Sequence, residues 1–160
     1  MFREMRRKRQ ALVPEECTAM LERGTSGVLA VMGDNGYPYA VPLSYVYHDG
    51  KIYFHSAKEG HKIDGIRKNA NASFCVIDRD QVMPKAYTTY FRSVIVFGQI
   101  RILEEEEEIE KAIRALAHKY YPDDCADSRN RAIQGAWNAF CIIELTTEHI
   151  SGKQARELAE

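Results

Sequence analysis

A chain of 160 residues, 45% hydrophobic and 28% charged, has the size and balance of one globular domain. Its formal net charge of −1 excludes a general basic field for nucleic acid, and no apolar run reaches the length of a membrane span. Residues 1–10 carry Arg6-Arg7-Lys8-Arg9 but no following apolar stretch, so they read as a solvated basic tail and not as a secretory signal. Four such charges give only weak, salt-sensitive affinity for nucleic acid. The expectation is a cytoplasmic protein with a single domain over residues 11–160, without nucleic-acid or membrane partners. Cys17, Cys75, Cys125 and Cys141 show neither zinc spacing nor a disulfide framework. Cys75 and Cys141 lie in apolar runs and are expected buried and reduced.

In chain order, Pro14 to Arg23 predicts a first helix, with proline in its first turn and Gly24 as its stop. Val28 to Met32 predicts a strand ending at the hairpin signal Gly33-Asp34-Asn35-Gly36. Tyr37 to His48 predicts a strand that Pro38 and Pro42 force to be bent, bulged or at an edge. Asp49-Gly50 turns the chain into Lys51 to His55, which suggests a three-stranded meander. A short helix is expected over Glu59 to Asn69, a strand over Ala72 to Ile77, a loop over Asp78 to Ala86, and a long strand-rich stretch over Thr88 to Leu103. Ile109, Ala112, Ile113, Leu116, Ala117 and Tyr120 mark the clearest helix, Glu104 to Tyr120. The acidic run Glu104 to Glu108 suits the positive end of its dipole better than a metal. Asp127 is a candidate cap for a short helix through Ile133, and Asn138 to Thr147 predicts a last strand. Six or so antiparallel strands with interposed helices imply a mainly β, α+β fold: a barrel or strongly curled sheet under helical cover.

Three segments carry candidate chemistry. In His55-Ser56-Ala57-Lys58-Glu59-Gly60-His61-Lys62 a strand runs into a helix. Two cations in a helix's first turn oppose the dipole unless an anion sits there. Ser56 adds a hydroxyl and Gly60 permits close backbone approach, which together suggest a phosphate cradle. The competing reading is a basic loop with Ser56 capping the helix. Tyr90, Arg92 and Ser93 share a strand, where a guanidinium and a hydroxyl could meet one anion, or Arg92 could pair with a carboxylate. The proline-interrupted strand at Val41, Pro42 and Leu43 leaves backbone groups for a planar polar ligand, or is a bent core strand. Trp137, the sole tryptophan, reads as a core or interface plug before a ligand lid. The five histidines lack metal-ligand spacing and no nucleophile elbow is present, so an enzyme built on this chain would rely on a cofactor.

These segments together resemble the pyridoxamine-5′-phosphate-oxidase-like flavin-binding split barrels, and in particular the 5-nitroimidazole-resistance, nitroreductase-like branch. The likeness is carried by Gly36-Tyr37-Pro38-Tyr39-Ala40-Val41-Pro42-Leu43-Ser44-Tyr45, Ile52 through Asp64, Phe91-Arg92-Ser93-Val94-Ile95-Val96-Phe97-Gly98 and Ile150-Ser151-Gly152-Lys153. The resemblance implies an antiparallel split β-barrel with flanking helices, a homodimer, and FMN (or FAD) at the subunit interface. It implies that Val41, Pro42 and Leu43 line the isoalloxazine, and that His55, Ser56, Ala57, Lys58 and Gly60 follow the ribityl and phosphate. His61 and Lys62 would neutralise that phosphate, Tyr90, Arg92 and Ser93 would approach from near the interface, and Trp137 would cover the ring from the partner. The implied activity passes electrons from NAD(P)H to a small acceptor such as a nitroaromatic, with His55 as proton donor. The alternative is a non-catalytic flavin- or haem-binding protein, with His61 or His149 as axial ligand. No arginine-rich terminal motif follows the expected Gly152-Lys153 turn, which argues against pyridoxal phosphate synthesis.

Overall fold

The computed structural model describes residues 1–159; Glu160, the last residue of the expected domain, lies outside the described residues. Seven strands form one antiparallel sheet: β1 (Ser26–Met32), β2 (Pro38–Ser44), β3 (Val46–His48), β4 (Lys51–Ser56), β5 (Asn71–Met83), β6 (Thr88–Ile102) and β7 (Cys141–Gln154). Their order is β2-β1-β5-β6-β7-β4-β3. Four helices cover it: α1 (Pro14–Arg23), α2 (His61–Lys68), α3 (Glu106–Tyr120) and α4 (Ala126–Ala136). This is the antiparallel split barrel with flanking helices. None of these helices is long and apolar enough to cross a membrane.

The expected three-stranded meander does not form. The stretch from Tyr37 to His48 breaks at Tyr45, so β2 pairs with β1 while β3 pairs with β4. These consecutive strands therefore become the two opposite edges of the sheet, and the sheet curls to bring them together. Tyr45 spans the gap. Its ring is fully buried and packs edge-on against Phe74, with centroids 4.9 Å apart. Its hydroxyl donates to the Leu21 carbonyl at 2.8 Å, and burial holds that phenol well above its ordinary pKa. The Tyr45 amide donates to the Tyr120 hydroxyl of α3 at 2.9 Å. Prolines 38 and 42 are tolerated because β2 has a partner on one side only.

Both hairpin turns meet the sequence expectation. Asn35 and Gly36, then Asp49 and Gly50, all take positive φ, the geometry that asparagine, aspartate and glycine accept most readily. Other boundaries differ. The expected loop from Asp78 to Ala86 is strand as far as Met83: after a register shift between Ile77 and Arg79, β5 continues against β6 as a two-stranded ribbon. The last strand continues past Thr147 to Gln154, and Gly152 and Lys153 lie in the ladder opposite Val94 and Ser93 instead of in a turn. Helix α2 begins at His61, with Gly60 as N-cap, and Cys125 instead of Asp127 occupies the N-cap of α4. Cys17 is buried, whereas Cys75 and Cys141 are only half-buried; all four thiols are free.

The core lies inside the curl, where Met20 and Leu21 of α1, Leu29, Phe54, Phe74, Val96 and Leu145 are buried. On the outside, Leu103, Ala112 and Leu116 lay α3 over Val46, Tyr53 and Ile142. Beside this contact Glu144 is 2% exposed. It accepts from Lys51 and from Arg101, each at 2.9 Å, and Arg101 also clasps Glu108 at 2.6 and 3.1 Å. Burial disfavours the Glu144 carboxylate, but the bonds from Lys51 and Arg101 prevail and hold its pKa below the usual range. The same burial and the nearby Glu144 push the Tyr53 phenol up to about 12.

Candidate functional site

Strand β4 delivers its end to the start of α2. Phe54 and Ser56 point into the barrel, while His55 is exposed on the outer face. Ser56 does not cap the helix; its hydroxyl donates to the Ala57 carbonyl at 2.9 Å. Gly60 takes φ 120°, a conformation closed to other residues without strain, and nothing lies within 4 Å of where its Cβ would be. No side chain caps α2. The first bond in the helix runs from the Asp64 amide to the Gly60 carbonyl at 3.1 Å. The N–H groups of His61, Lys62 and Ile63 therefore have no intrahelical partner. Helix α2 is pressed onto β1 at Gly65, where a Cβ would come within 2.7 Å of the Met32 carbonyl, and this fixes where its open end points.

The cations around this end are unequally engaged. Lys68 bonds Asp34 at 2.9 Å and Arg67 lies 3.8 Å from Asp64. His61 turns toward the β1–β2 hairpin: its ring lies 4.2 Å from Tyr39, and its Nε2 accepts from the Asp34 amide at 3.3 Å. Lys68 foremost, with His61, holds the Asp34 carboxyl below its ordinary range. Lys62 is half-buried and forms no ion pair among the described residues. Lys58 and Ala57 are exposed in the loop ahead of the helix. Cys141, which the sequence suggested only as a buried, reduced thiol, sits opposite Ser56 and donates to the Ala57 carbonyl at 3.4 Å. Burial raises its thiol pKa, while Lys62, Arg67 and Lys58 pull it back.

Val41 and Leu43 pack their side chains onto the core, and Pro42 faces outward. The side of β2 away from β1 carries no paired strand. The structure brings this open edge near the end of β4, and Ser44 and His55 line one pocket of 350 Å³. Its other walls come from α3, α4 and Phe140. Trp137 stands behind it, edge-on to Phe140 at 6.0 Å, and faces a separate polar cleft with Glu106, Glu110 and Arg114.

Tyr90, Arg92 and Ser93 lie elsewhere. Ser56 pairs with Cys141 at the start of β7, and Arg92 pairs with Gln154 at its end. Those 14 residues separate the two segments by about 40 Å along the strand. Among the described residues Arg92 meets no carboxylate; it donates to the Gln154 side chain at 2.9 Å, and its Nε is buried with no partner among them. Arg79 lies 5.8 Å over the Tyr90 ring. The histidines considered for haem are both engaged: His61 as above, and His149 stacked at 4.8 Å on Phe2.

A family model described as pyridoxamine 5′-phosphate oxidase matches residues 14–154. The chain belongs to that family. Among solved structures, it is similar to a candidate 5-nitroimidazole antibiotic resistance protein from Bacteroides thetaiotaomicron, at 19% identity and TM-score 0.75, over 90% of this chain and 86% of that one. It is also similar to a FAD-binding protein from Mesorhizobium loti, at 26% identity and TM-score 0.62, over 91% and 97% of the two chains. A third likeness is to a FAD and heme binding protein from Mycobacterium smegmatis, at 17% identity and TM-score 0.74, over 92% and 74%. The search of curated proteins finds no match.

Proposed function

We propose that this protein is a flavin-dependent oxidoreductase that works as a homodimer, with FMN seated where β2, the end of β4 and the start of α2 meet. The observation that carries the reading is the open, uncapped end of α2 beside Lys62, which has no ion-pair partner among the described residues. Free amides, a dipole's positive end and one uncommitted ammonium fit a phosphate monoester. The unpaired edge of β2 at Val41, Pro42 and Leu43 supplies backbone groups for the rim of the isoalloxazine. When bound, the flavin supplies the chemistry of hydride acceptance from NAD(P)H and electron delivery to a small acceptor. The chain orients it, screens it from water, and keeps the His55 imidazole beside the acceptor's path as proton donor.

Dimerisation accounts for Tyr90, Arg92 and Ser93. They are too far along β7 to join the same subunit's α2, so in this reading they serve the partner's flavin, as does Trp137. The outer face of the sheet supports it. Val28 stands beside Cys75, Ile95 and Ser151 in register, and Ala30 beside Ser73, Phe97 and His149. Val28, Ile77, Ile95 and Phe97 are exposed there, a contiguous apolar face that marks an association surface. The first test is the visible spectrum of the purified protein, with mass identification of the released ligand and sedimentation to give the oligomeric state. Yellow, dimeric protein that releases FMN and oxidises NAD(P)H is the expected result. Colourless protein that stays unliganded in excess flavin would end the reading.

A further inference from the structure

We propose that the pocket between α3, α4 and the sheet binds the small acceptor, and that it selects an uncharged aromatic ring over any ionised one. This rests on the flavin reading above, because the pocket gains that role only by opening beside the flavin's place. At 350 Å³ it falls within the range of small-molecule sites, toward the lower end of roughly 300–1,000 Å³. That suits one ring or a fused pair.

Its chemistry is set by what lines it. Leu116 and Ile113 of α3, Ile133 of α4 and Phe140 make the walls. Among the described residues no carboxylate, lysine or arginine lines it; the charged side chains Glu106, Glu110 and Arg114 lie on the neighbouring cleft instead. The Tyr120 hydroxyl is already held by the Tyr45 amide at 2.9 Å and by the Thr25 carbonyl. Among the described residues that line it, Ser44 and His55 remain as the polar side chains with no hydrogen bond, and they come from β2 and β4, the strands on which the flavin is placed. A ligand with an apolar ring and one polar end would thus enter ring-first toward α4 and turn its polar end to His55. A ligand that keeps its charge would lose its hydration here against apolar walls, with no lysine, arginine or carboxylate among the described lining residues to pair with it, a cost far above that of a neutral one. A phosphorylated substrate is excluded on the same ground.

The pocket carries its own reporter. Trp137 is the single tryptophan and its ring stands edge-on to Phe140, a wall of the pocket, so a nitroaromatic bound there quenches it across the Phe140 ring. The experiment titrates the purified protein with nitrobenzene and with 4-nitrobenzoate, following tryptophan emission, in the native chain and in Ala136→Phe and Ala132→Leu. Both alanines line the pocket yet are exposed, so the larger side chains fill it without entering the core. Saturable quenching is expected, with nitrobenzene binding at least about tenfold more tightly than the carboxylate. Each variant should lose it while keeping its circular dichroism and flavin content. Equal affinity for the two probes, non-saturable quenching, or quenching untouched in both variants would overturn the proposal. So would release of flavin from the variants, which would assign the pocket to the flavin itself. A protein that binds nitrobenzene in this way yet carries no flavin would refute the flavin reading and leave the ring-binding site standing.

Discussion

Two clusters of charge flank β4, and they are built in opposite ways. At its start, Lys51, Glu144, Arg101 and Glu108 close on one another, and every charge has a partner within 3.1 Å. Just past its end, Lys62 has none among the described residues, and the helix behind it is uncapped. The closed cluster locks α3 to the sheet and leaves none of its charges without a partner. The open one leaves the Lys62 ammonium without an ion pair and the first amides of α2 without a side-chain cap among the described residues. A charge satisfied inside the fold is structural; one left unsatisfied at a helix end is the better guide to function.

This contrast can be broken by mutation. The largest effect is expected at the open cluster: Lys62→Glu should weaken FMN binding roughly a hundredfold, since it replaces a charge-assisted contact with a repulsion. Equilibrium dialysis measures this, and the melting temperature without flavin should hardly move. Glu144→Ala should do the reverse, leaving flavin affinity intact and removing about 2 kcal/mol of stability in urea unfolding. That figure is below the value for a fully buried pair because Lys51 and Arg101 keep contact with water. The folded-state pKa of Glu144 is depressed, so its contribution is fully present above the ordinary carboxylate range. It is lost as pH falls through the lower folded value, and Glu144→Gln should flatten the acid side of stability against pH.

Next in size, Arg92→Ala should cost about tenfold in FMN affinity although it lies at the far end of β7 from Lys62. Co-refolding Arg92→Ala with Lys62→Glu sharpens the point. A site shared between subunits predicts that about one site in four recovers, within mixed dimers that carry both lesions on one face. Recovery of none would place both residues in a single subunit's site. The smallest effect is expected for Tyr120→Phe, about 1 kcal/mol of stability, from loss of the hydroxyl that receives the Tyr45 amide.

Local elements were largely readable in the sequence. Helical spacing in α1 and α3, and the Asn35-Gly36 and Asp49-Gly50 turns, are short-range signals that the fold leaves intact. What escaped depends on distant pairing. Nothing near Tyr45 announces that the strands on either side of it go to opposite edges. Asp78 to Gln81 looks like loop because it is polar, yet β6 gives it a partner and makes it ribbon. For the candidate site, the segment from His55 to Lys62 and the strand at Val41 to Leu43 were legible as candidates, and Ser44, next to the second, lines one pocket with His55. The separation of Arg92 from them was not legible, because the length of β7 was not. Nor was the pocket, whose helical walls and Phe140 come about 70 to 95 positions after Ser44 and which no local pattern encodes.

The place of β7 between β6 and β4 governs how the protein is made. Until Cys141 to Gln154 leave the ribosome, the chain owns two separate fragments, the four strands β2-β1-β5-β6 and the small hairpin β4-β3. The final strand zips them together and, in the same motion, completes the wall against which Phe54 and Tyr45 are buried. Assembly of this barrel therefore waits on β7, and nascent chains stalled before residue 141 would expose unpaired edges to chaperones and proteases.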